Sequence, residues 1–267
     1  MKLNNCRALV TGATGGIGRH LALALAQQGA RVVLVGRRRE ELGKIQAEIT
    51  HNTGVDSYAI TVDIASAEGR NELLQEIWRT VGGIDLLINN AGISDFHAFS
   101  EQDPEVINNI FQTNLIAPVQ LTRALLPGML ALKQGRIVNI GSVFGSIGFA
   151  YFTAYSSSKF AMRGFSEALR RELADTGVGV SYIGPRAVRT AANSAAVYRM
   201  AEAINMQMDE PQAVASFIIQ AIQNDTATAY YGWPEKLFVR LNALFPRWVD
   251  SALKKQNRLM AQYLPQD

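Results

Sequence analysis

Apolar and polar residues along the chain come in blocks. Short, largely apolar runs span Arg7 to Val10, Arg31 to Gly36, Leu86 to Ile88, Arg136 to Ile140 and Val180 to Ile183, joined by Tyr58 to Val62 and Ala227 to Tyr231. Runs of this length predict strands buried on both faces, as in a parallel sheet. Between them the apolar residues recur at helical spacing, as in Ile17, Leu21 and Leu25, and in Phe165, Leu169 and Leu173. The spacing predicts helices from the glycines after Val10, to about Thr50, from Glu68 to about Val81, from Pro104 onward, through about Ala174, and from a cap at Asp209 to about Asn224. Strand following helix in this rhythm means βαβ units in an α/β fold.

The first strand runs into TGATGGIG, Thr11 to Gly18, which opens the first helix. Gly12, Gly16 and Gly18 would let the backbone turn tightly and approach a pyrophosphate, held on the free N–H groups at the positive end of the helix. Dinucleotide folds that prefer NAD place a carboxylate at the end of the second strand to bind the ribose 2′-hydroxyl. Here Gly36 supplies none, and Arg37 follows at once as a partner for a 2′-phosphate. NADP(H) is therefore the expected cofactor, with NAD(H) as the alternative; Arg39 reads as the solvated start of the next helix.

A second chemical centre lies in GSVFGSIGFAYFTAYSSSK, Gly141 to Lys159. On a helix, Tyr155 and Lys159 stand side by side, so a fixed ammonium would favour phenolate and move the tyrosine toward neutrality. Tyr155 then becomes a candidate proton donor and acceptor, and Ser142 could add one neutral hydrogen bond from a loop.

Composition narrows the class. With 267 residues, 48% hydrophobic and 18% charged, the chain suits one well-buried domain. A net charge of +3 does not call for nucleic acid. The single Cys6 suits a reducing compartment, the three histidines lack metal-ligand spacing, and no apolar run reaches about eighteen residues, so a cytoplasmic location is expected.

In order and spacing, TGATGGIG at 11–18, Asp63, NNAG at 89–92, Asn114, Ser142 and YSSSK at 155–159 resemble the short-chain dehydrogenase/reductase family over about residues 5–232. The resemblance implies a doubly wound Rossmann domain in which Ser142 holds a substrate carbonyl and Tyr155 passes the proton. Lys159 would bind the nicotinamide ribose and acidify the tyrosine, and Asn114 would hold a water relaying protons to Lys159. Thr14, Ile17, Asp63, Ile64, Asn90, Ala91, Gly92, Pro185 and Thr190 would line the cofactor site. A homodimer or homotetramer is implied as well. The chain departs from the pattern at Arg186, where Gly is expected; either the loop path differs there, or the arginine faces the site, for instance to recognise an anion.

The leading function is an NADP(H)-dependent carbonyl or alcohol oxidoreductase. An epimerase or dehydratase on this scaffold is usually longer, and a non-catalytic nucleotide sensor would be expected to have lost the catalytic residues. A serine hydrolase would need Gly-x-Ser-x-Gly, and Ser142 sits in GSVFG. Val143, Phe144, Ile147, Phe149, Tyr151 and Phe152, with Met200, Met206 and Met208, predict an apolar pocket and a bulky apolar substrate.

Beyond this region, residues 233–267 read as a basic amphipathic extension. Leu237, Leu241, Leu244 and Trp248 share one face, which Pro246 should kink, and six basic residues between Gly232 and Arg258 face two acids. Capping the site, packing on another subunit and peripheral membrane contact are the three expectations for it.

Overall fold

Every predicted strand forms. In a computed structural model that describes residues 1–265, the strands are β1 (Arg7–Thr11), β2 (Arg31–Gly36), β3 (Ser57–Thr61), β4 (Leu86–Asn89), β5 (Gly135–Ile140), β6 (Val178–Pro185) and β7 (Thr228–Tyr231). They make one parallel sheet in the order β3-β2-β1-β4-β5-β6-β7, with Val10 in register with Leu34 on one side and Ile88 on the other. The interior runs are apolar because both faces are covered.

The helices are α1 (Gly16–Gln27), α2 (Arg39–Thr53), α3 (Ala67–Thr80), α4 (Pro104–Phe111), α5 (Ala117–Ala131), α6 (Thr153–Glu172), α7 (Ala195–Ala203), α8 (Pro211–Gln223), α9 (Glu235–Leu244) and α10 (Pro246–Met260). One face of the sheet gathers Leu21, Leu25, Leu42 and Ile218 from α1, α2 and α8; the other gathers Leu73, Ile77, Leu121 and Leu169 from α3, α5 and α6. Successive β1 residues divide between the two layers, Ala8 and Val10 to the first and Leu9 to the second. This is the doubly wound α/β sandwich that the pattern and the resemblance led us to expect.

Several boundaries differ for local reasons. The second helix continues past Thr50 to Thr53 and stops at Gly54, whose φ of 66° ends it in the left-handed region. Asp209 does not cap α8; the preceding residue is Glu210, without a side-chain cap, because the Asp209 carboxylate is engaged by Arg186. The helical region after Asp103 is interrupted by a π-turn at 112–116, which separates α4 from α5 and contains Asn114. The segment after β6 holds a helix, α7, that the sequence pattern did not indicate; Ser194 caps it by accepting from the Val197 N–H at 3.3 Å.

Pro246 does more than kink the last helical segment, since Phe245, at φ −135° and ψ 60°, breaks it into α9 and α10. The expected common apolar face also divides. Leu241 turns inward with Val239, Val249 and Leu253, whereas Leu237, Leu244 and Trp248 face outward. Among the described residues no helix is long and apolar enough to cross a membrane, and no cluster of His, Cys, Asp or Glu could hold a metal ion.

Candidate active site

Strand order reverses between β1 and β4, which opens a crevice beyond the carboxyl ends of the strands. Two cavities of about 450 Å³ each meet there, sharing Ile17, Asn90, Gly92 and Thr190 in their walls. One runs along the glycine turn and the other ends at Tyr155.

The glycine turn is shaped by close backbone approach. Gly12 has φ 65°, and a Cβ on it would lie 2.8 Å from Ala91 Cα; one on Gly18 would lie 2.1 Å from the Gly12 carbonyl oxygen. Helix α1 starts after Gly15 with no side-chain cap, so its first N–H groups point into the crevice as anion donors. Thr11 fastens this turn to the end of β4. Its hydroxyl accepts from the Asn90 and Ala91 N–H groups at 3.0 and 3.1 Å, and the Asn90 amide donates to the Thr11 and Gly12 carbonyls at 2.9 and 3.2 Å. Asn90 thus builds the cradle from behind. A Cβ at Gly16 would meet Thr190 Cγ2 at 2.6 Å, which places Thr190 as the opposite wall. These residues fit a dinucleotide pyrophosphate.

At the far rim, Thr14, Gly36, Arg37, Asp63, Ile64 and Ala91 line the cavity together with Arg38. Asp63 also organises its own loop, accepting from the Ala65 N–H at 3.0 Å. Sequence reasoning singled out Arg37 and passed over Arg38, yet the Arg38 guanidinium donates to the Thr14 carbonyl and hydroxyl, folding across the entrance to the turn. The run of three arginines, Arg37 to Arg39, at a strand end was the available signal.

At the other end, Ser142, Tyr155 and Lys159 line one cavity, with Pro185 across from them. Tyr155 and Lys159 lie one turn apart on α6, the lysine Nζ 5.7 Å from the tyrosine ring centroid. Lys159 is only 4% exposed and donates to the Ile140 carbonyl at 3.0 Å; burial brings its pKa from 10.5 down to about 8. Burial also pushes the Tyr155 phenol up, with the Ser142 hydroxyl acting in the opposite sense. The expected acidification of the tyrosine by the lysine therefore does not appear in the chain by itself: desolvation dominates, and the Ser142 hydroxyl is what opposes it.

Ser142 caps a single 3-10 turn, its hydroxyl accepting from the Phe144 N–H at 3.1 Å and leaving its own proton to donate into the cavity. Its backbone is held by Tyr182 of β6, a residue that sequence reasoning did not select. The fully buried Tyr182 hydroxyl donates to the Ser142 carbonyl at 2.9 Å and accepts from the Ser142 N–H at 3.2 Å.

Asn114 stands behind this surface. A Cβ on Gly92 would lie 3.3 Å from Asn114 Oδ1 and 3.4 Å from Lys159 Nζ, which places both groups close beneath this glycine at the crevice floor. The Asn114 amide donates to the Ile93 carbonyl at 2.9 Å and the Ser158 hydroxyl at 3.0 Å, and its oxygen accepts from the Ile93 N–H at 2.8 Å. Both amide protons are thus committed to holding the 92–93 loop against α6.

Much of the remaining wall is apolar, made by Phe144, Phe152, Val197, Met200, Met206 and Met208, with Ser94 and Asn193 as polar members. Phe149 stacks on Phe144 with centroids 4.4 Å apart, while Val143 and Ile147 pack instead under the last two helices. Met260, Tyr263 and Leu264 join the same aromatic cluster, so the chain's last described residues back the pocket wall.

Arg186 lies at the edge of this wall with ordinary backbone geometry, since it is not among the positive-φ residues. Its guanidinium does not face the cavity as an anion receptor. It donates to Asp209 at 2.7 and 2.8 Å and to Glu235 at 3.2 and 3.3 Å. The loop follows a path that needs no glycine, and the arginine joins the far end of the 186–209 segment to α9.

Residues 7–201 match the family model described as short chain dehydrogenase. The chain is 37% identical over 218 residues to the ketoacyl reductase HetN of a Nostoc species, covering 82% of this chain and 75% of that one. Among solved structures, L-sorbose reductase from Gluconobacter frateurii, complexed with NADPH and L-sorbose, aligns with a TM-score of 0.78 at 25% identity over 87% of this chain and 97% of that one. A short-chain dehydrogenase/reductase from Burkholderia phymatum in complex with NAD shares the fold, with a TM-score of 0.84 at 22% identity over 93% and 96%. With a glycine cradle for a dinucleotide and a serine, a tyrosine and a lysine around one cavity, the chain belongs to the short-chain dehydrogenase/reductase family and is an NAD(P)-dependent enzyme of it.

Proposed function

We propose that the protein is an NADP(H)-dependent oxidoreductase that interconverts a carbonyl and an alcohol on an apolar substrate, working as a homodimer or homotetramer in the cytoplasm. The observation that carries the reading is the single cavity lined by Ser142, Tyr155 and Lys159 with an apolar wall of aromatic and methionine side chains. Gly12, Gly16, Ile17 and Gly18 would hold the pyrophosphate, Asp63, Ile64, Asn90, Ala91 and Gly92 the adenine and ribose side, and Arg37 with Arg38 a 2′-phosphate. Thr14, Pro185 and Thr190 would close the site over it. A nicotinamide held there would supply or accept the hydride.

In the reducing direction the Ser142 hydroxyl donates to the substrate carbonyl oxygen and polarises it, and the Tyr155 phenol passes its proton to that oxygen as charge develops. The raised phenol pKa keeps Tyr155 protonated before reaction, as a donor requires. Lys159, whose ammonium is already destabilised by burial, steadies the tyrosinate left behind. Asn114 is a positioning residue that keeps the 92–93 loop and α6 in register.

Fold likeness does not choose the substrate, because the L-sorbose reductase takes a polyhydroxy ketone on the same scaffold. The lining supports an apolar one: the wall of Phe144, Phe152 and Met200 offers no partners for hydroxyl groups, so a sugar lying against it would bury unpaired polar groups. The test is NADPH consumption against bulky apolar ketones and sugars, with Tyr155→Phe beside the wild type. We expect apolar ketones to give the higher kcat/KM, and Tyr155→Phe to bind NADPH while losing about 10²–10⁴-fold in kcat. A preference for sugars sinks the substrate reading, and a variant keeping more than roughly a tenth of its turnover sinks the role of Tyr155.

A further inference from the structure

The last two helices carry an apolar surface on the wrong side for packing. Their inner face is already satisfied: Val239 and Val249 are buried with Ile147, Leu241 and Leu253. Yet six of the ten exposed large apolar side chains among the described residues fall within 233–248: Trp233, Leu237, Phe238, Leu244, Phe245 and Trp248. Leu244 and Trp248 are each 71% exposed and Trp233 70%, and Phe245 stacks on Trp248 with centroids 4.8 Å apart at the elbow between α9 and α10. Side chains this exposed protrude instead of lining a groove.

Charge decides what covers them. Lys236, Arg240, Arg247, Lys254, Lys255 and Arg258 are all exposed, and none is in an ion pair among the described residues. The one acid on α9, Glu235, is taken by Arg186, which leaves Asp250 as the only uncommitted carboxylate within 233–258. A twofold contact between copies would set this cationic patch against itself, and like charges brought together in an interface oppose association. A surface with Trp, Phe and Leu projecting among unpaired cations instead matches an anionic lipid interface, where aromatic side chains settle at headgroup depth and cations meet phosphate.

We propose that the α9–α10 elbow docks this enzyme peripherally on anionic bilayers. Arg186 links that surface to the substrate cavity, because it edges the cavity and binds α9 through Glu235.

The test is flotation of the full-length protein with vesicles of phosphatidylglycerol and phosphatidylcholine in equal parts, against phosphatidylcholine alone. It needs no turnover, so its result stands whatever the substrate. We expect selective binding to the anionic vesicles, lost progressively with salt. Each exposed cation contributes about fivefold, so Lys254→Ala with Lys255→Ala should weaken partitioning by roughly twenty-five-fold. Leu244→Ser with Trp248→Ser should cut it at least about tenfold through lost apolar burial, with unchanged particle mass and unchanged turnover of a water-soluble substrate. Failure to bind anionic vesicles, equal binding to both vesicle types, or binding that ignores the Leu244/Trp248 pair each overturns the proposal. A fall in oligomer mass in that double variant does so too, and assigns the patch to a second copy of the chain.

Discussion

The two ends of the crevice are built by different means. At the nucleotide end, the cradle is backbone brought close by missing side chains, with Gly12 and Gly18 almost touching and Thr11 fastening the turn to Asn90 and Ala91. At the reaction end, side chains from distant parts of the chain set the geometry: Tyr182 from β6 holds Ser142, and Arg186 joins Asp209 to Glu235. The first design tolerates little variation because backbone must meet backbone. The second can be rebuilt by single substitutions, which suits a family whose substrates vary on one scaffold.

The comparison is broken most forcefully at Lys159, where the reaction end stores a cost. A fall in pKa from 10.5 to about 8 corresponds to about 3 kcal/mol of folding stability lost by burying the ammonium. Below about pH 8 both folded and unfolded chains hold that proton, so the whole cost is present. Between about 8 and 10.5 the unfolded chain binds it and the folded chain does not, and stability therefore rises with pH across that window. Lys159→Met should be inactive yet more stable than the wild type at pH 7 by up to about 3 kcal/mol, the gap closing as pH approaches the ordinary lysine value. Urea melts at both ends of the window check this; a variant no more stable at pH 7 contradicts it. No comparable burial cost is expected at the nucleotide end, where neutral hydrogen bonds hold the glycine turn and Arg37 and Arg38 are exposed at the rim.

The next effect is at the opposite end. Arg37→Ala with Arg38→Ala should weaken NADPH binding by about ten- to a hundredfold, the size of one or more lost charge-assisted contacts, while NADH binding changes little. Titration of both cofactors measures it, and an equal loss for both would move the arginines away from the 2′-phosphate and into general scaffolding.

The same contrast explains what could be read from the sequence. The strands, the glycine turn and the Tyr155–Lys159 pair follow from short-range patterns, since burial on both faces writes continuous apolar runs and a helix places i and i+4 together. Helix α7 escaped because Ala195–Ala203 is short and lies in a segment read for pocket lining, its Ser194 cap unremarked. Arg186 could be marked as anomalous, but its role depends on carboxylates 23 and 49 residues away. The outward face of α9 and α10 escaped for a related reason: periodicity finds an apolar stripe without saying whether it points to core or solvent. Leu241 went one way while Leu237 and Leu244 went the other.

Tyr182 is the least legible element and gives the smallest predicted effect. Gly141 and Gly145 frame Ser142, and Cβ atoms on them would lie 2.1 Å from the Tyr182 ring and 2.3 Å from its hydroxyl. The two glycines are therefore required by a tyrosine on another strand, 40 residues beyond the serine it holds. Tyr182→Phe keeps the ring and deletes only the hydroxyl, so the Ser142 N–H and carbonyl lose their shared partner. A buried group left unpaired costs about 1–3 kcal/mol, and the lower end applies because Ser142 borders a cavity that water can enter. We expect about 1 kcal/mol of lost stability and a several-fold fall in kcat, with NADPH affinity unchanged because the nucleotide end has its own fastening through Thr11. Were NADPH affinity to fall as steeply as kcat, the two ends would be mechanically coupled and the division drawn between them would not hold.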